Sequence, residues 1–209
     1  MRESMCVAVV GILGFVLMAC GGPGQTIPLS VNMDAVPAPA KIADPLRVAV
    51  APFEDIRAEK SIIGRYQHYD LSMDTLTPAG GSAADQITNF VVEYLKRAGF
   101  QVSRVRSAEA VAPGSVDVVL SGQIEWYWSV AVSWAVRTDL ATRNVLVLKA
   151  TNTGDGSTIR TTVVCDGTRT VASFDLGDLE KLNGKALGQT LARFLADVVV
   201  MDRTLQPRK

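Results

Sequence analysis

From Val116 to Val136 the chain alternates. Val118, Leu120, Gly122, Ile124, Trp126, Trp128, Val130, Val132, Trp134 and Val136 share one parity; Gln123, Glu125, Tyr127, Ser129, Ser133 and Arg137 share the other. A period of two is the signature of a strand with one apolar face. At about 3.3 Å per residue, a straight strand of this length overruns a small domain. A bulge or bend is therefore expected, near Gly122, with a frayed or protruding end past Ser129. All three Trp lie on the apolar parity. Trp126, Trp128 and Trp134 either pack beneath a helix or form an exposed aromatic strip for a partner or lipid.

The rest of the chain supplies what such a strand must pair with and what must cover it. Leu46 to Phe53 reads as a strand, with Leu46, Val48 and Val50 on one face and Ala49 and Ala51 on the other. Small residues on the second face suit a central strand with cover on both sides. Ser82-x-x-Asp85 is a capping-box pattern. Ala83, Ile87, Phe90, Val91, Tyr94, Leu95 and Ala98 then follow helical spacing up to Gly99, which sits at a left-handed C-cap. Phe100 to Val105 is the next strand, so strand, helix and strand predict a crossover onto a parallel neighbour. Asn144–Thr153 and Ser157–Val171 are two further strands, joined at Asn152-Thr153-Gly154-Asp155-Gly156, a tight hairpin turn. A last helix starts at Asp175. Its stripe runs through Leu179, Leu187, Leu191, Phe194, Leu195, Val198 and Met201, with Gly184 and Gly188 set for close packing on the sheet. The tail from Gln206 is expected to be loose.

The expected fold is thus a two-layer α/β (α+β) sandwich. A mixed sheet of about five strands, in the order β-α-β-β-β-β-α, carries two helices on one face. Glu54 to Gly81, which holds the only His, His68, reads as a surface excursion with some strand character.

Ahead of this domain lies a different kind of sequence. Arg2 precedes an apolar run from Met5 to Ala19, and Leu17-Met18-Ala19-Cys20 is followed by Gly21-Gly22-Pro23-Gly24. The run has the length of a signal peptide's apolar core and is short for a spanning helix. The four residues look like a bacterial lipobox, with Leu17 and Ala19 read by the signal peptidase and Cys20 receiving the lipid. Residues 1–19 are then a cleaved signal peptide and residues 20–45 a lipidated Cys with a flexible tether. Residues 46–209 form a single globular domain. Two or more acyl chains anchor a protein stably where one does not. Gly at position 21 favours, by resemblance to enterobacterial lipoproteins, sorting to the outer membrane.

Charge and cysteines narrow the function further. The 209 residues carry 21 Lys+Arg and 21 Asp+Glu, a balance without the basic face that nucleic acid requires. Of three cysteines, one leaves with the leader and one takes lipid, so Cys165 stands alone, as a buried core thiol. There is no G-x-S-x-G, no zinc-binding spacing and no phosphate loop. A Cys165/His68 pair would have to be brought together by the fold. Asp117 and Glu125 are too far apart on a straight strand for a retaining glycosidase. No catalytic residue, metal or cofactor is expected.

Phe53-Glu54-Asp55-Ile56-Arg57, then Ile62-Ile63-Gly64, then a capped helix ending Ala98-Gly99-Phe100, resembles the YajG family of uncharacterised lipoproteins. Asp117-Val118-Val119-Leu120-Ser121-Gly122 and a closing helix with Asp202 also fit, over roughly residues 46 to 205. The family has no established activity to carry over. Asp55 and Arg57 match its Asp-x-Arg position, as an ion pair fixing a loop or as a ligand contact. The tether, the neutral charge balance and the absence of a catalytic set favour a non-enzymatic lipoprotein, held in the outer membrane by acyl chains on Cys20, facing the periplasm and binding another envelope protein. The alternative is an accessory subunit of an envelope transport or lipid/LPS-handling complex, a group similar in organisation only.

Overall fold

A computed structural model describes residues 24–42, 44–112 and 114–208. The elements are β1 (Thr26–Leu29), a 3-10 turn (Met33–Ala35), β2 (Arg47–Val50), β3 (Glu54–Asp55), β4 (Gly64–Gln67), β5 (Met73–Pro78) and α1 (Ala83–Arg97). There follow β6 (Gln101–Arg104), β7 (Val118–Ser133), β8 (Thr138–Asn152), β9 (Thr158–Val171), α2 (Leu176–Ala196), β10 (Val198–Met201) and β11 (Thr204–Pro207). Among the described residues nine strands form one mixed sheet, and β10 with β11 forms a separate hairpin. The α+β class is as the sequence implies; the sheet has more strands than the expected five.

The axis of the sheet is β7. One edge pairs antiparallel with β8 along its whole length, and β8 pairs with β9. The other edge is shared end to end by three parallel partners: β2 at Val118–Leu120, β3 at Gln123–Ile124 and β4 at Ser129–Val132. A strand of 16 residues spans about 50 Å, which is how one strand serves so many neighbours. Its irregularity falls between Ile124 and Trp126, not at Gly122. Gly122 answers a different need: a Cβ there would strike the Phe53 ring and the Val147 carbonyl.

The additional strands lie where no period is visible in the sequence. The excursion from Glu54 to Gly81 contains β3, β4 and β5. The expected tether contains β1, which pairs parallel with β5 at the sheet edge and buries Leu29 completely. An edge strand tolerates Pro28, whose missing N–H would point to solvent. The folded domain therefore begins at about Gly24 rather than residue 46.

Both helices cover one face. Ser82 Oγ accepts from the Asp85 amide to open α1, and Gly99 turns out of it at φ +97°. The β2–α1–β6 crossover ends on a parallel neighbour. Asp175 caps α2, which stops at Asp197; the β-branched run Val198–Val200 continues as β10, and Gln206, in β11, pairs with Val199 of β10 rather than hanging loose. Gly184 and Gly188 accept a strap, residues 32–42, rather than the sheet. A Cβ at Gly184 would strike the Asn32 carbonyl, and one at Gly188 would lie 2.5 Å from Val36 Cγ1. The strap is fixed by Asn32 N donating to the Glu180 carbonyl at 3.3 Å and by Ile42 N donating to the Ala98 carbonyl at 3.2 Å.

Candidate functional site

The irregularity in β7 decides which side chains meet water. Ile124 pairs with Leu146 and Trp126 with Val145, so Glu125 is the extra residue. One inserted residue reverses the facing of everything beyond it. Before it, Val118, Leu120 and Ile124 face the helices. After it Tyr127, Ser129 and Ala131 do so, and all three are buried. Trp126, Trp128, Val130 and Val132 are turned to the opposite face. The ten residues of apolar parity are thus split between two sides of the sheet.

On that opposite face Ala49, Val119 and Val147, near the start of β7, are buried, but the part beyond the bulge lies open. Trp126 is 50% exposed and Trp134 54%, while Trp128, Val130 and Val132 are half-buried by their neighbours. Val145 stands opposite Trp126, and Val164 beside it continues the patch onto β9. Charges frame it: Arg143 opposite Trp128, Asp139 opposite Val132, Arg65 beside Val130. Arg143 pairs with Asp166 at 3.7 Å. Trp134 Nε1 donates to Asp139 Oδ2 at 2.9 Å. The Thr170 hydroxyl, with Trp134 and Arg137, holds the Asp139 carboxyl below its usual range.

Asp55 and Arg57 lie at the junction of β3 and β4. Arg57 Nε and NH2 donate to the two oxygens of Asp55 at 2.9 and 2.7 Å, and the side chains are 7% and 9% exposed. Arg57 NH1 also donates to the carbonyls of Ile62 and Tyr127. The pair is spent on this loop and on β7.

Other groups are kept apart. His68 Nε2 sits 2.7 Å from Asp74 Oδ2 at the far end of β4, while Cys165, 1% exposed, faces inward on β9. Beneath the helices, the Tyr127 hydroxyl donates to Gln86 Oε1 and accepts from Asn183 Nδ2 at 2.6 Å. Burial pushes its pKa up. Among the described residues no three His, Cys, Asp or Glu gather as a metal site. Leu17, Ala19 and Cys20 lie outside the described residues. A site that sequence reading passed over is a cleft of about 630 Å³ between the strap, α2 and β10, with Tyr94, Phe100, Leu195 and Val199 among its walls. Tyr94 reads in sequence only as one more residue of a helical stripe.

No family model matches this chain, and no curated protein matches it. Solved structures do. Protein XCC0632 from Xanthomonas campestris, of family DUF330, is 17% identical at a TM-score of 0.50, over 82% of this chain and 92% of that one. PelC from Paraburkholderia phytofirmans, a dodecamer, is 16% identical at 0.38 over 75% and 91%. Lipoprotein GNA1162 from Neisseria meningitidis is 14% identical at 0.29 over 73% and 96%. The likeness to XCC0632 is one of fold.

Proposed function

We propose that this chain is a lipoprotein of the YajG kind, anchored by acyl chains on Cys20 to the periplasmic face of the outer membrane. It works by binding another envelope protein, not by catalysis. The observation that carries the reading is the exposed Trp patch on the sheet face beyond the bulge. Scattered exposed apolar residues are ordinary on any protein, whereas a contiguous patch with Trp at its centre and Arg and Asp at its margin has the composition of an interface. Trp and Arg are also the residues that most often dominate binding energy. The lipobox supplies the envelope, and no helix among the described residues is long and apolar enough to cross a membrane. Crosslinking in intact cells, with affinity purification and mass spectrometry, tests this. A specific partner captured by the native chain and lost with Trp126→Ser supports it; identical captures from both overturn it.

The second reading, an accessory subunit of an envelope transport or lipid/LPS-handling complex, has its own observation in the cleft. Its volume is that of a ligand site. Tyr94 is 2% exposed, and burial alone raises its pKa, since no described residue hydrogen-bonds its hydroxyl. Lys41 and Arg208 stand at the walls with one acid, Asp44. An acyl chain with an anionic head fits that chemistry. A photoactivatable fatty acid should label peptides around Tyr94 and Leu195, and Tyr94→Phe should weaken the labelling; labelling elsewhere overturns this reading.

A further inference from the structure

Five large apolar side chains left exposed share one end of the sheet. Tyr69 and Leu71, 70% and 74% exposed, lie in the β4–β5 turn; Trp134 and Val136, 54% and 84%, lie in the β7–β8 turn; Met73 opens β5. Registers place them together: Gln67 pairs with Met73 and with Val132, and Val132 with Asp139. Both turns are preformed. Trp134 N donates to the Arg137 carbonyl at 2.7 Å, and Leu71 N to the His68 carbonyl at 3.0 Å. Leu71 holds φ +70°, a left-handed position that glycine would take without steric cost. A leucine that is both strained and turned to water serves neither turn geometry nor the core.

The N-terminal part of the described chain enters at the same end. Gly24 N donates to the Met73 carbonyl at 3.1 Å, and the Gly24 and Gln25 amides both donate to Asp74 Oδ1. We propose that this end of the sheet docks on the lipid bilayer, with Tyr69, Leu71, Trp134 and Val136 entering the headgroup layer. The inference rests on acylation of Cys20. Four residues on from Cys20 the chain is already fixed at Gly24, and an extended segment of that length reaches at most about 14 Å. The end that carries Gly24 is therefore the end that meets the headgroups. Tyr and Trp settle at that depth, and inserted apolar groups add a second hold to the acyl chains. Asp70, Arg137 and Asp139 at this end carry both signs, so docking is apolar in origin and insensitive to the anionic lipid fraction.

The acylated full chain, reconstituted with phosphatidylethanolamine–phosphatidylglycerol vesicles with or without brominated acyl chains, tests this. Flotation of the acylated chain but not of Cys20→Ser reports the anchor. Brominated lipid is then expected to quench a Trp126→Phe/Trp128→Phe protein at least roughly threefold more than a Trp134→Phe protein. Leu71→Asp with Val136→Asp should abolish the difference while leaving the denaturant midpoint in place. Flotation with equal quenching of both Trp variants overturns the docking and leaves the anchor standing. Failure of the acylated chain to float overturns the anchor, and the docking with it.

Discussion

Arg57 NH1 donates to the Tyr127 carbonyl at 3.0 Å, across the gap where β3 has ended and β4 has not begun. Ile124 pairs with Asp55 and Ser129 with Gly64; between them β7 bulges and has no strand on that side. The guanidinium fills the gap, satisfying the carbonyls of Tyr127 and Ile62 while Asp55 balances its charge. The ion pair thus sits at the bulge that turns the Trp face outward and satisfies the backbone left without a strand partner there.

Removing the arginine should be costly. Arg57→Ala leaves the Asp55 carboxylate buried without its partner, which costs about 3–5 kcal/mol. Urea denaturation should show a midpoint lowered accordingly. Arg57→Lys should recover less than half, because an ammonium cannot reproduce the two-pronged contact with Asp55.

A glycine-to-alanine change inside a helix normally stabilises by about 1 kcal/mol. Gly184→Ala should do the reverse. Its Cβ would meet the Asn32 backbone carbonyl, which cannot swing aside as a side chain can, so a net loss of about 1–3 kcal/mol is expected. Thermal melting measures the loss. Limited proteolysis should cut within residues 36–41 sooner than in the native chain.

Those glycines mark where sequence reading succeeded and where it stopped. Local rules placed α1 by Ser82 and Gly99, α2 by Asp175, and the β8–β9 hairpin by Gly156. The short strands escaped because their signal is not local. Thr26–Leu29 is a strand only because β5 offers it an edge, and Gly64–Gln67 only because β7 runs on past β3. Gly184 and Gly188 announced close packing, but the partner was a segment read as a tether for its prolines. The Trp strip was visible as a parity, yet Glu125 carries no mark of a bulge, so the facing of everything after it could not be read. Asp55 and Arg57 were legible as a pair; their reach to Tyr127 was not.

Acid should weaken the end of the sheet distal to Gly24. Burial raises the Asp117 carboxyl, but hydrogen bonds from the Arg47 side chain and amide and from Arg203 outweigh it and hold it at about 2. A folded-state value below the unfolded one means stability that is present above about pH 4 and lost as pH falls through 2. Arg47 and Arg203 are themselves 41% and 67% exposed, so solvent screening brings the contribution to about 1–2 kcal/mol. Urea midpoints taken between pH 5 and pH 2 should fall less steeply for Asp117→Asn, which starts lower and has no carboxylate there to titrate.

Adjacent residues on β7 should behave in opposite ways. Trp126 is 50% exposed and Tyr127 is 1% exposed, although a straight strand would put Trp126 inward with Ile124. Trp126→Thr removes little packing and should change stability by less than about 1 kcal/mol, while cutting capture of a partner on the sheet face. Tyr127→Phe loses only a hydroxyl, but leaves Asn183 Nδ2 and Gln86 Oε1 short of a bond in a buried site, at a cost of about 1–3 kcal/mol. It should leave partner capture intact. Denaturation curves and crosslinking yields for the two variants, measured side by side, would show the reverse pattern if β7 ran without its bulge.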